Sequence, residues 1–134
     1  MNRKLPALTA ETAAFWQGGA QGVLLIHHCG SCGQYFHPPA PVCPACNSLD
    51  VSPRAVSGKG RVATFTINEH PWTAELTQPY VVAIVELIEQ SGLRLLTNII
   101  GCNPEAVRID MPVSVTFERQ EDVWIPLFER ATDV

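Results

Sequence analysis

Beyond residue 60 the chain alternates apolar and polar positions with a period of two, the pattern of strands that bury one face. Arg61-Val62-Ala63-Thr64-Phe65-Thr66-Ile67 is the first such run, Tyr80 to Ile88 the second and Leu93 to Ile100 the third, with a turn at Gln90-Ser91-Gly92 between the last two. The period then breaks. Asn103 as N-cap, Pro104 at the first helical position and Glu105 at the second predict a short helix through about Arg108, which Met111-Pro112 stops. From Pro112 to Gln120, Val113, Val115 and Phe117 alternate with Ser114, Thr116 and Glu118; Glu121-Asp122 then turns the chain into a last run, Val123 to Glu129. Three strands, a short helix and two strands is the connectivity of an OB-fold, a five-stranded barrel with its helix between strands three and four.

The upstream part follows other rules. Thr9 is placed to cap a helix, with Glu11 in the first turn near the positive end of the dipole, Leu8 stapled onto Ala13, and Gly18-Gly19 ending it after Phe15-Trp16. Two large aromatics on so short a helix have little core of their own. They either fold back on the downstream module or dock on another chain. Val23-Leu24-Leu25-Ile26 then enters the first of two cysteine pairs, and Gln34-Tyr35-Phe36 leaves it as a returning strand. Leu49 to Ala55 supplies a last strand, and Ser57-Gly58-Lys59-Gly60 reads as a turn and a boundary. The expected organisation is a leading helix region at 1–22, a ribbon at 23–59 and a barrel at 60–134.

The cysteines carry the strongest chemical signal. Cys29 and Cys32, then Cys43 and Cys46, form two C-x-x-C pairs within 18 residues. A C-x-x-C pair on a tight turn presents two thiolates to one tetrahedral ion, and a second pair completes a closed site of four sulfurs. Gly30, Ser31 and Gly33 around the first pair, and Pro44, Ala45 and Asn47 around the second, are the small or turn-forming residues such knuckles need. The reading is a rubredoxin-like zinc ribbon holding one structural Zn2+. The short spacing also suits iron, and two disulfides are the bland rival, although no charged segment followed by an apolar one directs the chain to an oxidising compartment. Pro38, Pro39 and Pro41 exclude the helix that a thioredoxin-like pair requires. His28 and His37 flank the knuckles, but four cysteines already fill the shell. The fifth, Cys102, reads as a free, partly buried thiol rather than a nucleophile.

Length and charge narrow the function. At 134 residues the chain is the size of one domain, yet a metal-stabilised ribbon leaves 75 residues for a second module with its own core. No apolar run reaches the roughly 20 residues of a membrane span, and we expect a soluble cytoplasmic protein. Residues 1–59 carry a net +2, whereas residues 60–134 hold five arginines against eleven acids, a net −6. A groove that tracks phosphates needs clustered Lys and Arg, and here they are dispersed. No G-x-S-x-G, H-E-x-x-H or phosphate loop is present, and a saturated four-sulfur zinc leaves no open position for water. His70 and Trp72 lie in the loop between the first two barrel strands, where an OB-fold borders its ligand, or else cover the barrel end.

With both modules placed, the chain resembles the bacterial and archaeal zinc-ribbon plus OB-fold proteins called domain of unknown function 35. The resemblance spans nearly the whole chain: Phe15-Trp16, the two knuckles with Phe36-His37-Pro38-Pro39 between them, Gly60-Arg61-Val62, Pro79-Tyr80-Val81-Val82-Ala83 with Val85-Glu86-Leu87, and Thr97-Asn98-Ile99-Ile100-Gly101-Cys102. Arg108-Ile109-Asp110-Met111-Pro112-Val113 and Ile125-Pro126-Leu127-Phe128 extend it to the tail. It implies a non-catalytic accessory subunit of a thiolase-like acyl-CoA enzyme, in a hetero-oligomer, with the ribbon and leading helix docked on the partner. Phe15, Trp16, Tyr35 and Phe36 are then docking candidates, and Lys59, Arg61, His70, Trp72 and Arg94 are candidates to border a CoA thioester. The alternatives are a single-strand nucleic-acid binder stacking bases on Trp72, Phe65 and Tyr80, and an iron-loaded electron carrier.

Overall fold

The computed structural model describes residues 4–69 and 78–131. The expected mainly β architecture is present, with eight strands: β1 Leu24–Cys29, β2 Tyr35–Phe36, β3 Val51–Val56, β4 Lys59–Asn68, β5 Tyr80–Leu87, β6 Arg94–Ile100, β7 Pro112–Gln120 and β8 Val123–Arg130. The first three form an antiparallel sheet ordered β2-β1-β3, and the other five close into a barrel ordered β4-β5-β6-β8-β7. Antiparallel pairing of β4 with both β5 and β7, and parallel pairing of β6 with β8, is the OB-fold closure. A bulge between Val62 and Thr64 bends β4 so that its first residues reach β7 while the rest follow β5.

Several boundaries differ from expectation, each for a local reason. Lys59 and Gly60 belong to β4, leaving the turn to Ser57 and Gly58. Gly60 is needed there, because a Cβ would lie 2.5 Å from the Glu86 carbonyl oxygen on β5. The helix between the third and fourth barrel strands is a single 3-10 turn, Pro104–Ala106. Asn103 caps it as expected, accepting from the Glu105 N–H, but Val107 is already extended and buried, so the helix never reaches Arg108. Leu49 stands outside the ribbon sheet and is exposed.

The leading helix, α1 (Ala13–Gln17), is short and runs into a 3-10 turn at Gly18–Gln21. Thr9 does not cap it: the N-cap is Thr12, which makes no side-chain cap bond. Thr9 acts one turn earlier, where its hydroxyl accepts from the Thr12 N–H at 3.2 Å and the Thr12 hydroxyl accepts from the Thr9 N–H at 3.0 Å, closing the turn that leads into the helix. Leu8 packs, with Leu5 and Trp16, against Val123, Ile125 and Leu127 of β8. Strand β8 is therefore buried on both faces: Phe128 points into the barrel core, while its other face lies under the N-terminal segment.

Phe15, only 7% exposed, joins Leu24 and Ile26 of β1 in the same cluster as the barrel side chains Val62, Val85, Leu95 and Phe128. Leu24 and Ile26 of the ribbon sheet thus join the barrel's cluster, while the knuckles keep a small one of their own, Cys29, Phe36 and Cys43. Among the described residues no helix is long and apolar enough to cross a membrane.

Candidate functional site

The two knuckles are built alike. In the first, the Cys29 carbonyl accepts from the Gly33 N–H at 2.9 Å; in the second, the Cys43 carbonyl accepts from the Asn47 N–H at 2.9 Å. The residue after each pair, Gly33 and Asn47, takes a positive φ of 77° and 64°, which the chain meets with the two residue types that tolerate it best. The Cys32 N–H points at the Cys29 sulfur and the Ala45 N–H at the Cys43 sulfur, each at 3.4 Å. Ser31 and Ser48 join the knuckles through their hydroxyls at 2.9 Å.

These turns bring all four sulfurs within 4.8 Å of one another, with Cys29–Cys46 at 3.6 Å and Cys32–Cys43 at 3.7 Å. Four thiolates at the usual zinc–sulfur distance of about 2.3 Å on a tetrahedron stand about 3.8 Å apart. The donor set therefore fits one zinc ion, and no cysteine is disulfide-bonded. Without a cation the cluster cannot ionise fully. The hydrogen bond from the Cys32 N–H leads in holding Cys29 down to about 6. Cys46, although the Ser48 N–H lowers it, is pushed up to about 12 by the Cys29 sulfur, by burial and by the other sulfurs. A bound dication removes that conflict, and its role is to cross-link, since four sulfurs leave it no open position. Among the described residues the cluster contains no histidine. The His28 ring lies 4.8 Å from the Tyr35 ring, and His37 rests on Phe15 at 4.6 Å between centroids. Burial, aided by His27, lowers His37 to about 4, so it is neutral at pH 7.

Around Trp16 lie two cavities. One, about 320 Å³, is lined by Trp16, Val82, Leu96, Asn98 and Pro126 among others, with Lys4 at its edge. The second, about 490 Å³, is lined by Phe15, Trp16, Arg94 and Leu96 together with His37, Pro38 and Pro39. Of the aromatic docking candidates, Phe15 and Phe36 are used in the chain's own interior, whereas Trp16 and Tyr35 keep exposed surface. Leu96, 72% exposed, was not foreseen. Its signal is the adjacent Leu95-Leu96, which breaks the alternation by placing an apolar side chain on the outer face of β6.

The CoA-border candidates are scattered. Arg61 and Arg94 line one surface groove with Glu86 and Asp110, and Arg94 forms an ion pair with Glu86 at 3.2 Å. Lys59 is exposed at the start of β4, outside that groove. His70 and Trp72 lie outside the described residues. Cys102 is a free thiol, half-buried against the core.

Comparison with known proteins agrees with this architecture. Residues 16–52 match the model of the ChsH2 rubredoxin-like zinc ribbon domain and residues 53–118 that of the ChsH2 C-terminal OB-fold domain. The chain belongs to this zinc-ribbon plus OB-fold family, the domain of unknown function 35. It is 36% identical over 130 residues to a probable enoyl-CoA hydratase alpha subunit of Thermomonospora curvata, covering 96% of this chain and 40% of that one. A scaffold protein of the same family from Methanocaldococcus jannaschii is 38% identical over 93 residues, 68% of this chain and 64% of its own. The chain thus spans well under half the length of the hydratase subunit. Among solved structures it is similar to a chain of the Ltp2-ChsH2(DUF35) aldolase, with a TM-score of 0.85 and 35% identity over 96% of this chain and all of that one.

Proposed function

We propose that this chain is a non-catalytic accessory subunit of a thiolase-type acyl-CoA enzyme, which it stabilises and whose CoA-thioester site it helps form or gate. The observation that carries the reading is its full-length likeness to a chain of an aldolase named as a pair, Ltp2 with ChsH2(DUF35). A relative named as a hydratase alpha subunit supports assembly with an acyl-CoA enzyme more broadly. The molecule's own chemistry agrees: its metal site is closed, and its one cysteine outside that site packs against the core. The surface we assign to the partner is the exposed edge of Trp16 with Leu96 and Pro38-Pro39, where apolar side chains from the leading helix, the barrel and the ribbon line one cavity.

Co-expression with a thiolase-like chain from the same gene neighbourhood tests the reading. The two should co-purify, and Leu96→Asp, which places a charge on an outward position of β6, should weaken the complex by about tenfold or more while the zinc content stays at one per chain. Separate purification, with the partner soluble and fully active alone, would overturn the proposal.

A further inference from the structure

Ribbon and barrel meet in two ways. One is apolar, through Leu24 and Ile26 of β1, with Tyr35 of β2 and Val56 of β3 packed against the same cluster. The other is polar and comes from the turn between β5 and β6. The Gln90 side-chain carbonyl accepts from the Tyr35 N–H at 2.8 Å, and its amide donates to the Tyr35 carbonyl at 2.9 Å. Tyr35 lies in β2, the edge strand of the ribbon sheet, so these two groups face away from the sheet and have no strand beside them. A primary carboxamide offers donor and acceptor in one plane, as a peptide does, and here it takes the place of the next strand. Glu89 accepts from the Ser57 N–H at 2.8 Å, and the Ile88 N–H donates to the Lys59 carbonyl at 3.1 Å. One short turn therefore holds both the ribbon's edge and the joint that connects it to the barrel.

We infer that the β5–β6 turn is a clasp that fixes the angle of the ribbon on the barrel, with Gln90 as the positioning residue. The consequence is the width of a cleft. His37, Pro38 and Pro39 follow β2 directly and line the 490 Å³ cavity together with Phe15, Trp16, Leu96 and Arg94, the Phe15 ring lying 4.6 Å from His37 and 4.8 Å from Trp16. Where β2 sits sets the position of the His37-Pro38-Pro39 side of the cavity, and Gln90 holds the β2 backbone, beside the packing of the Tyr35 side chain on the core and of His37 on Phe15. That the cleft receives a partner rests on the function proposed above; that Gln90 fixes its width does not.

Residual dipolar couplings of the zinc-loaded full chain read the angle directly. In the wild type, ribbon and barrel amides should fit one alignment tensor. In Gln90→Ala, and equally in the shape-matched Gln90→Met, which keeps the packing and loses both hydrogen bonds, the ribbon should require a second tensor while the barrel spectrum and one zinc per chain are retained. Partner affinity should fall about tenfold in the same variants. A wild type that already needs two tensors, or a Gln90→Met chain that still fits one, overturns the clasp. Split tensors with unchanged partner affinity would leave the clasp standing and remove this cleft from the docking surface.

Discussion

Removing the metal, by Cys43→Ser or by a chelator, is expected to unfold the ribbon's knuckles and leave the barrel standing. Apart from the metal, the knuckles are held by a small cluster, Cys29, Phe36 and Cys43 with Ala40 and Val51 at its edge. One fully buried phenylalanine contributes up to about 3 kcal/mol, and the whole cluster about 5 kcal/mol. Ordering the 18 residues from Cys29 to Cys46 costs about 18 kcal/mol at about 1 kcal/mol each. A structural zinc contributes about 10–16 kcal/mol at neutral pH, which brings the two sides level. Without it the deficit exceeds anything the cluster can offset. The barrel does not share that dependence, because its strands close on themselves and its core is filled by Val62, Val85, Leu95, Val113 and Phe128. Hydrogen exchange checks this residue by residue. The Gly33, Cys43 and Asn47 amides, which are donors within the knuckles, should lose protection in Cys43→Ser, whereas β4 to β8 keep theirs. Knuckle amides that stay protected without metal, or barrel amides that lose protection with them, would refute the reasoning.

Two further outcomes follow from the core and its edge. The Thr97 hydroxyl, 8% exposed, donates to the Pro126 carbonyl at 3.0 Å, so Thr97→Val should cost about 1–2 kcal/mol in denaturant titration although it adds apolar surface. His37 has its folded pKa depressed to about 4 from 6.5, so between those values the unfolded chain binds more protons and stability falls as pH drops. Wild type should therefore lose about 1–2 kcal/mol more than His37→Gln between pH 7 and pH 5, and equal losses would show that His37 does not titrate as its burial requires.

Much of this was legible in the sequence because it rests on short-range rules. Period-two alternation marks β4 to β7, the C-x-x-C pairs specify the knuckles, and Asn103 caps the turn it precedes. What escaped depends on contacts far along the chain. The run Val123-Trp124-Ile125-Pro126-Leu127-Phe128 lacks the alternation of β7, which is the mark of a strand covered on both faces, but the sequence does not say what covers it. The cover is the N-terminal segment, more than 100 residues away, and that is why Phe15 turns inward. Gln90 was readable only as part of a turn, since nothing local tells a carboxamide that its partner is the backbone of residue 35. Leu96 shows the converse limit: a broken period reveals an exposed apolar side chain without naming its neighbour.

The OB-fold's usual ligand face is formed by its second and third strands, here β5 and β6, together with adjoining loops. In this chain the outer side chains Val82, Leu96 and Asn98 of that face border a cavity whose opposite wall includes Phe15 and Trp16. The leading helix therefore takes ground that a single nucleic-acid strand would need. The cations such a strand requires are also engaged or outnumbered. Arg94 pairs with Glu86, the Arg119 guanidinium lies 5.1 Å from the Trp124 ring centre, and Arg108 donates to the carbonyls of Glu105 and Val107. Of the stacking candidates, Tyr80 has its hydroxyl bonded to Asn68 and Phe65 packs against the core. Among the described residues this face therefore offers few free cations for phosphates, and it carries Leu96 and Trp16 instead. Apolar surface of that kind is stabilised by another protein's apolar surface and by little else in water. The covering helix thus supplies, with Trp16, part of the patch on which the proposed partner would sit.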